Sequence, residues 1–461
     1  MPELARQLAE GSDAAEQRLM QLLAIASVSA DSAHAADVQR AADWVAHRLQ
    51  EMGSGENVLA VEKITTDGNP IVYAESAPVP GAPVALIYGH YDVQPPDPLD
   101  EWHSPPFEPT LRDGNLYARG ATDDKGQMLT HVESVASLLD NSGELPLQVK
   151  FLIEGEEEIG SPSLEPFVAA NRDKLACDVV VISDSSQFAP GMPAITYGLK
   201  GIAYYELRLT GPKQDLHSGA FGGAVTNPAN VLAKLLAALV DDDGRVLLPG
   251  FYDAVRPLAE AERNEFAALP FDDTKFMQQL GVTGLTGEAG YTTLERRWAR
   301  PTCDINGLWS GYQGEGAKTV LPARAGAKFS FRLVPDQDPK QVTEMVRQHL
   351  EPLLPPGIDM ELIEFHGAPG VVFPFDSPAV EAAKTAIGIG FGAKPVLIRE
   401  GGSIPIVNTF AEQLEAEVLL LGWGLDDDNT HSPNEKFCLA DFHRGIHASA
   451  CLWQELAKIT T

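Results

Sequence analysis

The chain has 461 residues, 44% of them hydrophobic, which is past the length at which one core usually stops growing and makes two domains the first expectation. Lys plus Arg number 34 against 65 Asp plus Glu; the resulting net charge of -31 repels phosphate backbones and anionic lipid and argues against nucleic-acid and membrane partners. No apolar segment approaches the roughly 18 residues of a membrane span, the acidic N-terminal stretch lacks the positive charge of a signal peptide, and Cys177, Cys303, Cys438 and Cys451 show no CxxC spacing, so a reduced, cytoplasmic protein is expected.

In chain order, residues 1–30 read as an amphipathic helix. PVALIYG (83–89) is the first of four apolar runs without polar alternation, followed by LQVKFLIEG (147–155), CDVVVIS (177–183) and EAEVLLLGWG (415–424). That pattern belongs to strands buried on both faces of a parallel or mixed sheet. Helical stretches follow the first run (GQMLTHVESVASLLD) and flank the last (SPAVEAAKTAIGIGFG and DFHRGIHASACLWQELAKI). The expected fold is α/β: a three-layer α/β domain with a mostly parallel sheet. GIAYYELRLTG (201–211) and AKFSFRLVP (327–335) instead alternate, with Phe329, Phe331 and Leu333 on one side and Lys328, Ser330 and Arg332 on the other. They predict a sheet with one covered face, in an α+β domain inserted over 199–367 between 1–198 and 368–461.

Ligands of open α/β sheets bind beyond the carboxyl ends of the strands. After the four runs come His90 and Asp92, then Glu156, Glu157 and Glu158, then Asp184, then a loop carrying His431; RGATDDKG places Asp123 and Asp124 before a helix. Singly, each has a plainer reading: a helix cap for Asp123, a structural histidine for His90, a solvated run for the glutamates. Their shared place at one sheet edge favours a metal site. Two imidazoles and three carboxylates without thiolate suit divalent zinc or manganese. Two such ions and one hydroxide neutralise three carboxylates, whereas an unfilled cluster would repel itself. A shared water with its pKa lowered to roughly 7 becomes a nucleophile, and a carboxylate outside the ligand set can carry its proton to a departing amine. Asp92, behind His90, is placed to accept the second ring N–H.

The motifs GHYDVQP, RGATDDKG, EGEEEIGS, ISDSS, DLHSGAFGG, REGGSIP and THSPNEK, in this order and over nearly the whole chain, resemble the dinuclear M20 metallopeptidases, and within them the carnosinase-like cytosolic nonspecific dipeptidases. The resemblance implies that His90 and Asp184 hold one metal ion, Glu158 and His431 the other, and that Asp123 bridges both. Zinc is expected ahead of manganese. It makes Glu157 the general base and leaves Glu156 a solvated or supporting carboxylate. It further implies a cis peptide at Asp123–Asp124, and an inserted domain that serves as lid and homodimer interface. His217 would act in the partner subunit's active site on the oxyanion, and Arg332 would clamp the substrate carboxylate. His366, Thr319, Glu400, Gly402 and Ser403 match pocket positions. The implied activity is hydrolysis of dipeptides or short peptides with a free C-terminal carboxylate. An N-acyl amino-acid deacylase or carboxypeptidase is the alternative, and a non-catalytic metal-binding scaffold a distant one. His103, His131, His443 and His447 receive no role.

Overall fold

The computed structural model describes residues 6–8, 10–55 and 57–459. The first residues of the expected N-terminal helix (1–5 and 9) lie outside these; the helix is described as Ser12–Leu23. The chain forms two compact units. The first comprises Met1–Tyr197, Phe373–Ile398 and Ile406–Thr461, the second Gly198–Val372 and Arg399–Pro405. The strands of their main sheets are, along the chain, β1 (Ala60–Ile64), β2 (Ile71–Glu75), β3 (Val84–His90), β4 (Gln148–Glu154), β5 (Val179–Ser186), β6 (Ala194–Leu199), β7 (Gly201–Thr210), β8 (Thr302–Ser310), β9 (Arg324–Leu333), β10 (Asp359–Ala368) and β11 (Glu417–Gly424).

In the first unit the sheet order is β6-β11-β5-β3-β4-β2-β1. The four apolar runs form its centre, β11-β5-β3-β4, all parallel. Antiparallel strands extend it on both sides, so the sheet is mixed. Ala85 and Ile87 of β3 enter the large core shared with helices Lys125–Ser142, Pro378–Phe391 and Leu439–Leu456. Tyr88 points to the opposite face, where its ring meets Phe410 of helix Ile406–Gln413 edge-on at 5.3 Å. Helices therefore cover both faces, which is why β3 shows no polar alternation. Because the central strands are parallel, the segments after β3, β4 and β11 emerge at one edge.

The second unit is built on an antiparallel sheet in the order β8-β9-β7-β10. Phe329, Phe331 and Leu333 are fully buried with Tyr205, Leu207 and Leu209, under helices Pro228–Ala237 and Pro339–Leu350. The other face is not uniformly solvated: Ser330 is buried, and Arg332 is half-buried with Ser403 of the segment Arg399–Pro405 bonded to it. That segment falls outside the expected limits of 199–367. It is held by the backbone N–H of Lys200, which donates to the Glu400 carbonyl at 3.3 Å. Among the described residues, no helix is long and apolar enough to cross a membrane.

Candidate metal centre

His90 closes β3 and is fully buried. Its Nδ1 lies 3.1 Å from the backbone carbonyl of Asp92, which can only accept, so the ring N–H sits there and Nε2 is left bare. The carboxylate of Asp92, expected to take this bond, is farther at 3.4 Å. Its two oxygens also accept the backbone N–H groups of Glu157 and Glu158 at 3.3 and 3.2 Å, so Asp92 anchors the glutamate turn as well.

His90 Nε2 is buried without a hydrogen-bond partner, although Asp123 Oδ1 is 3.2 Å away. A bare ring nitrogen and a carboxylate oxygen, both electron-rich, face each other where a cation would satisfy both. Asp123 Oδ2 lies 2.8 Å from Nε2 of His431, and that nitrogen is 3.3 Å from Glu158 Oε2. The side chains form two groups whose ligand atoms lie within 4.8 Å of one another: His90, Asp123 and Asp184, and Asp123, Glu158 and His431. Asp123 belongs to both. The peptide bond between Asp123 and Asp124 is cis.

Local backbone explains each placement. Asp184 was expected just past its strand but lies within β5, at a register shift against β11: Leu420 pairs with Ile182, then Gly422 with Ser185. The extra residue is a bulge that re-aims Asp184. Gly422 permits it, since a Cβ there would stand 2.4 Å from Ser186 N. His431 sits at a φ of 60° in a loop with Asn429 and Asn434, both also left-handed.

The electrostatics are those of a site lacking positive charge. Burial, then Asp123 and Asp124, push Asp184 well above the usual carboxylate range. Burial, then Asp123, raise Glu158. Glu157, in neither group, is raised to about 8 by burial, against His90 and with Glu158, Asp123 and Asp92. Burial resists ionisation of Asp123, yet the neighbouring His431 and His90 rings lower its pKa. His431 is raised to about 11 by its bonds to Asp123 and Glu158. Nitrogen and oxygen donors under this mutual repulsion fit divalent cations.

Glu156 is not solvated. It is 4% exposed, and its oxygens accept the backbone N–H groups of Asn69 (2.8 Å) and Ser163 (3.0 Å). Three supporting side chains lay within the quoted motifs without an assigned part. Gln94 donates to Glu158 Oε2 at 2.8 Å. Glu435 accepts the backbone N–H of Asp123 at 3.1 Å, and Arg119 donates to Glu435 at 2.7 Å. A glutamine two residues beyond Asp92 and a glutamate four beyond His431 were the only signals available.

In the second unit, Arg332 Nη1 donates to Ser403 Oγ at 3.0 Å, and Ser403 donates to the Lys200 carbonyl. His366 lies opposite Tyr204 in the β7–β10 pairing, and its pKa is lowered by burial and by Arg332. Glu400 and the exposed Gly402 share the Ser403 segment. His217 and Thr319 form a separate pair: His217 bridges to Val320, and the Ser218 N–H donates to the Thr319 carbonyl at 3.2 Å. His217 is exposed, and its Nδ1 accepts the Gly219 N–H at 3.0 Å, so Nε2 carries the proton. Of the histidines without a role, His131 is buried against Ser183 Oγ at 2.8 Å and His443 pairs with Glu16 at 2.7 Å.

The chain is 33% identical over 454 residues to the Cys-Gly metallodipeptidase dug1 of Schizosaccharomyces pombe, covering 96% of this chain and 95% of that protein. The crystal structure of human carnosine dipeptidase 1 superposes with a TM-score of 0.89 at 33% identity, over 99% of both chains. An M20 family metallo-carboxypeptidase, Sso-CP2 from Sulfolobus solfataricus, gives a TM-score of 0.87 at 34% identity, over 96% of this chain and 99% of that one. Residues 86–455, which include all five converging side chains, match the model of peptidase family M20/M25/M40, and the chain belongs to that family.

Proposed function

We propose that this chain is a metal-dependent peptidase that hydrolyses dipeptides or other short peptides with a free C-terminal carboxylate. One observation carries the reading: two ligand groups share Asp123, beside a glutamate, Glu157, that belongs to neither. His90 and Asp184 would hold one ion, Glu158 and His431 the other, and Asp123 both. Bound there, zinc or manganese would polarise the scissile carbonyl and lower the pKa of a water to roughly 7. Glu157 takes that water's proton and passes it to the departing amine. The Arg332 fork, already oriented by Ser403, receives the substrate carboxylate. His366, Thr319, Glu400 and Gly402 are the further substrate-binding residues in this reading.

The free Nε2–H of His217 is a donor suited to an oxyanion, and in a homodimer the partner subunit's His217 supplies it. Support for that dimer comes from β8, an edge strand with Ile305, Leu308 and Trp309 exposed beside helix Pro228–Ala237. The four free thiols accord with a cytoplasmic setting.

Likeness to Sso-CP2 favours a second reading, a carboxypeptidase acting on longer peptides; an N-acyl amino-acid deacylase would use the same residues. Dipeptides, tripeptides and acetylated amino acids assayed side by side decide: the dipeptides should have the highest kcat/KM, and a clear preference for either other class would replace the first reading. Glu157→Gln should lower kcat by about 10²- to 10⁴-fold with two metal ions still bound. Near-normal turnover in that variant would remove Glu157 from its role.

A further inference from the structure

We propose that the buried Arg119–Glu435 ion pair positions the bridging Asp123 and couples the two metal subsites, so that breaking it weakens both at once. This rests on the ligand reading given above. Arg119 is 1% and Glu435 0% exposed. Glu435 Oε1 accepts the backbone N–H groups of Thr122 (3.0 Å) and Asp123 (3.1 Å). Its Oε2 accepts the Gly120 N–H (2.8 Å) and Arg119 Nη1 (2.7 Å). Four donors occupy the lone pairs of one carboxylate.

The pair reaches the segments that carry three of the ligands, His90, Asp123 and His431. Arg119 Nη2 donates at 3.2 Å to the carbonyl of Pro95, in the loop that follows His90. Glu435 lies in the loop of His431, and its carbonyl accepts the Ala118 N–H at 3.1 Å. The single Thr122 O–H donates to the Lys436 carbonyl (2.6 Å), with Asp428 Oδ2 also within reach of Oγ1 (2.9 Å), closing the same junction. Buried ion pairs contribute little net stability after desolvation, and apolar side chains of similar volume would serve packing as well. A carboxylate is needed here because only it can accept four N–H groups and so hold the Asp123 backbone in one place. Gln94 is the contrast: among the described residues its amide bonds Glu158, at its Oε2 (2.8 Å) and its carbonyl (3.2 Å).

The test is titration of chelator-stripped protein with Zn²⁺ or Mn²⁺ against a chromophoric competitor, alongside thermal melts. Wild type should bind two equivalents. Glu435→Gln, whose amide offers one acceptor and adds donors, should weaken both steps by roughly 10- to 100-fold. Gln94→Met should weaken one step and leave the other unchanged. If Glu435→Gln fails to fold, Arg119→Lys, which keeps the charge and drops the Pro95 contact, carries the same comparison. A variant of the pair that retains one step at wild-type affinity overturns the coupling, and so does equal weakening of both steps in Gln94→Met. Failure of wild type to bind two equivalents, or an Asp123→Asn variant that still binds both normally, would instead sink the ligand reading itself.

Discussion

Asp123 Oδ2 lies 2.8 Å from His431 Nε2, and its other oxygen faces His90 Nε2 at 3.2 Å, so one carboxylate stands between two imidazoles from opposite ends of the chain. A cation on each side would satisfy the bare His90 Nε2 and the carboxylate oxygens together. The centre should therefore be a large contributor to the stability of the first unit.

Chelation should abolish turnover and lower the melting temperature, and added Zn²⁺ or Mn²⁺ should restore both. At free metal a thousandfold above Kd, each ion stabilises the fold by about 4 kcal/mol. Melts in the presence and absence of chelator check this, and an unchanged melting temperature would mean that the cluster is not a metal site.

Arg332→Lys removes the planar fork while keeping the charge. A loss of about 10- to 150-fold in kcat/KM is expected for peptides with a free carboxylate, the equivalent of one charged hydrogen bond. The same variant should treat C-terminally amidated peptides much as wild type does. Equal losses on both substrates would separate Arg332 from carboxylate recognition.

Gly422→Ala places a Cβ 2.4 Å from Ser186 N, against the backbone that forms the Asp184 bulge. Overpacking of this kind costs about 1–3 kcal/mol. Urea unfolding should show it, and metal titration should show the His90–Asp123–Asp184 subsite weakened more than the other. Normal affinity at both subsites would show that the bulge does not set Asp184.

Leu308→Asp, on the exposed edge strand, should shift the chain toward monomer in sedimentation and lower activity with it. If His217 acts across the dimer, mixing inactive His217→Ala with inactive Glu157→Gln should recover activity, up to about a quarter of wild type for random pairing, one working site in half the dimers. No recovery from a mixture shown to exchange subunits would place His217 in its own chain's site.

His131 gives the stability a pH dependence that is separate from catalysis. Burial lowers its pKa from 6.5 to about 3, so it is neutral in the native protein while the unfolded chain takes up a proton below 6.5. Its contribution is complete above that pH and is lost as pH falls toward 3, at up to about 1.4 kcal/mol per unit. Unfolding free energies of His131→Gln between pH 6.5 and 4 should fall less steeply than those of wild type. Identical slopes would show that His131 does not titrate on unfolding.

The central strands were legible because residues buried on both faces leave continuous apolar runs, as in Val179–Val181 and Leu419–Leu421. The edge strand β8 of the second unit was not: Thr302–Ser310 carries Asp304, Asn306 and Gly307, residues depleted in strands, and is recognised only by its pairing with β9. At the site, donor type was readable for His90, Asp123, Glu158, Asp184 and His431, but a strand-end position held for His90 and not for Asp184, which lies within its strand. Of the two alternatives for Glu156, the supporting role fits and the solvated one does not, because one of the backbone N–H groups that hold it, that of Asn69, comes from a loop 87 residues away.

Local chemistry is written in the order of residues, so the sequence alone determined the α/β pattern and the kinds of side chain that gather at the site. Which oxygen faces which nitrogen, how Asp184 is re-aimed within its strand, and the use of Arg119 and Glu435 as a joint between loops were decided only by the tertiary structure. Hydrogen bonds and ion pairs act over about 3 Å, and only folding brings such distant residues that close.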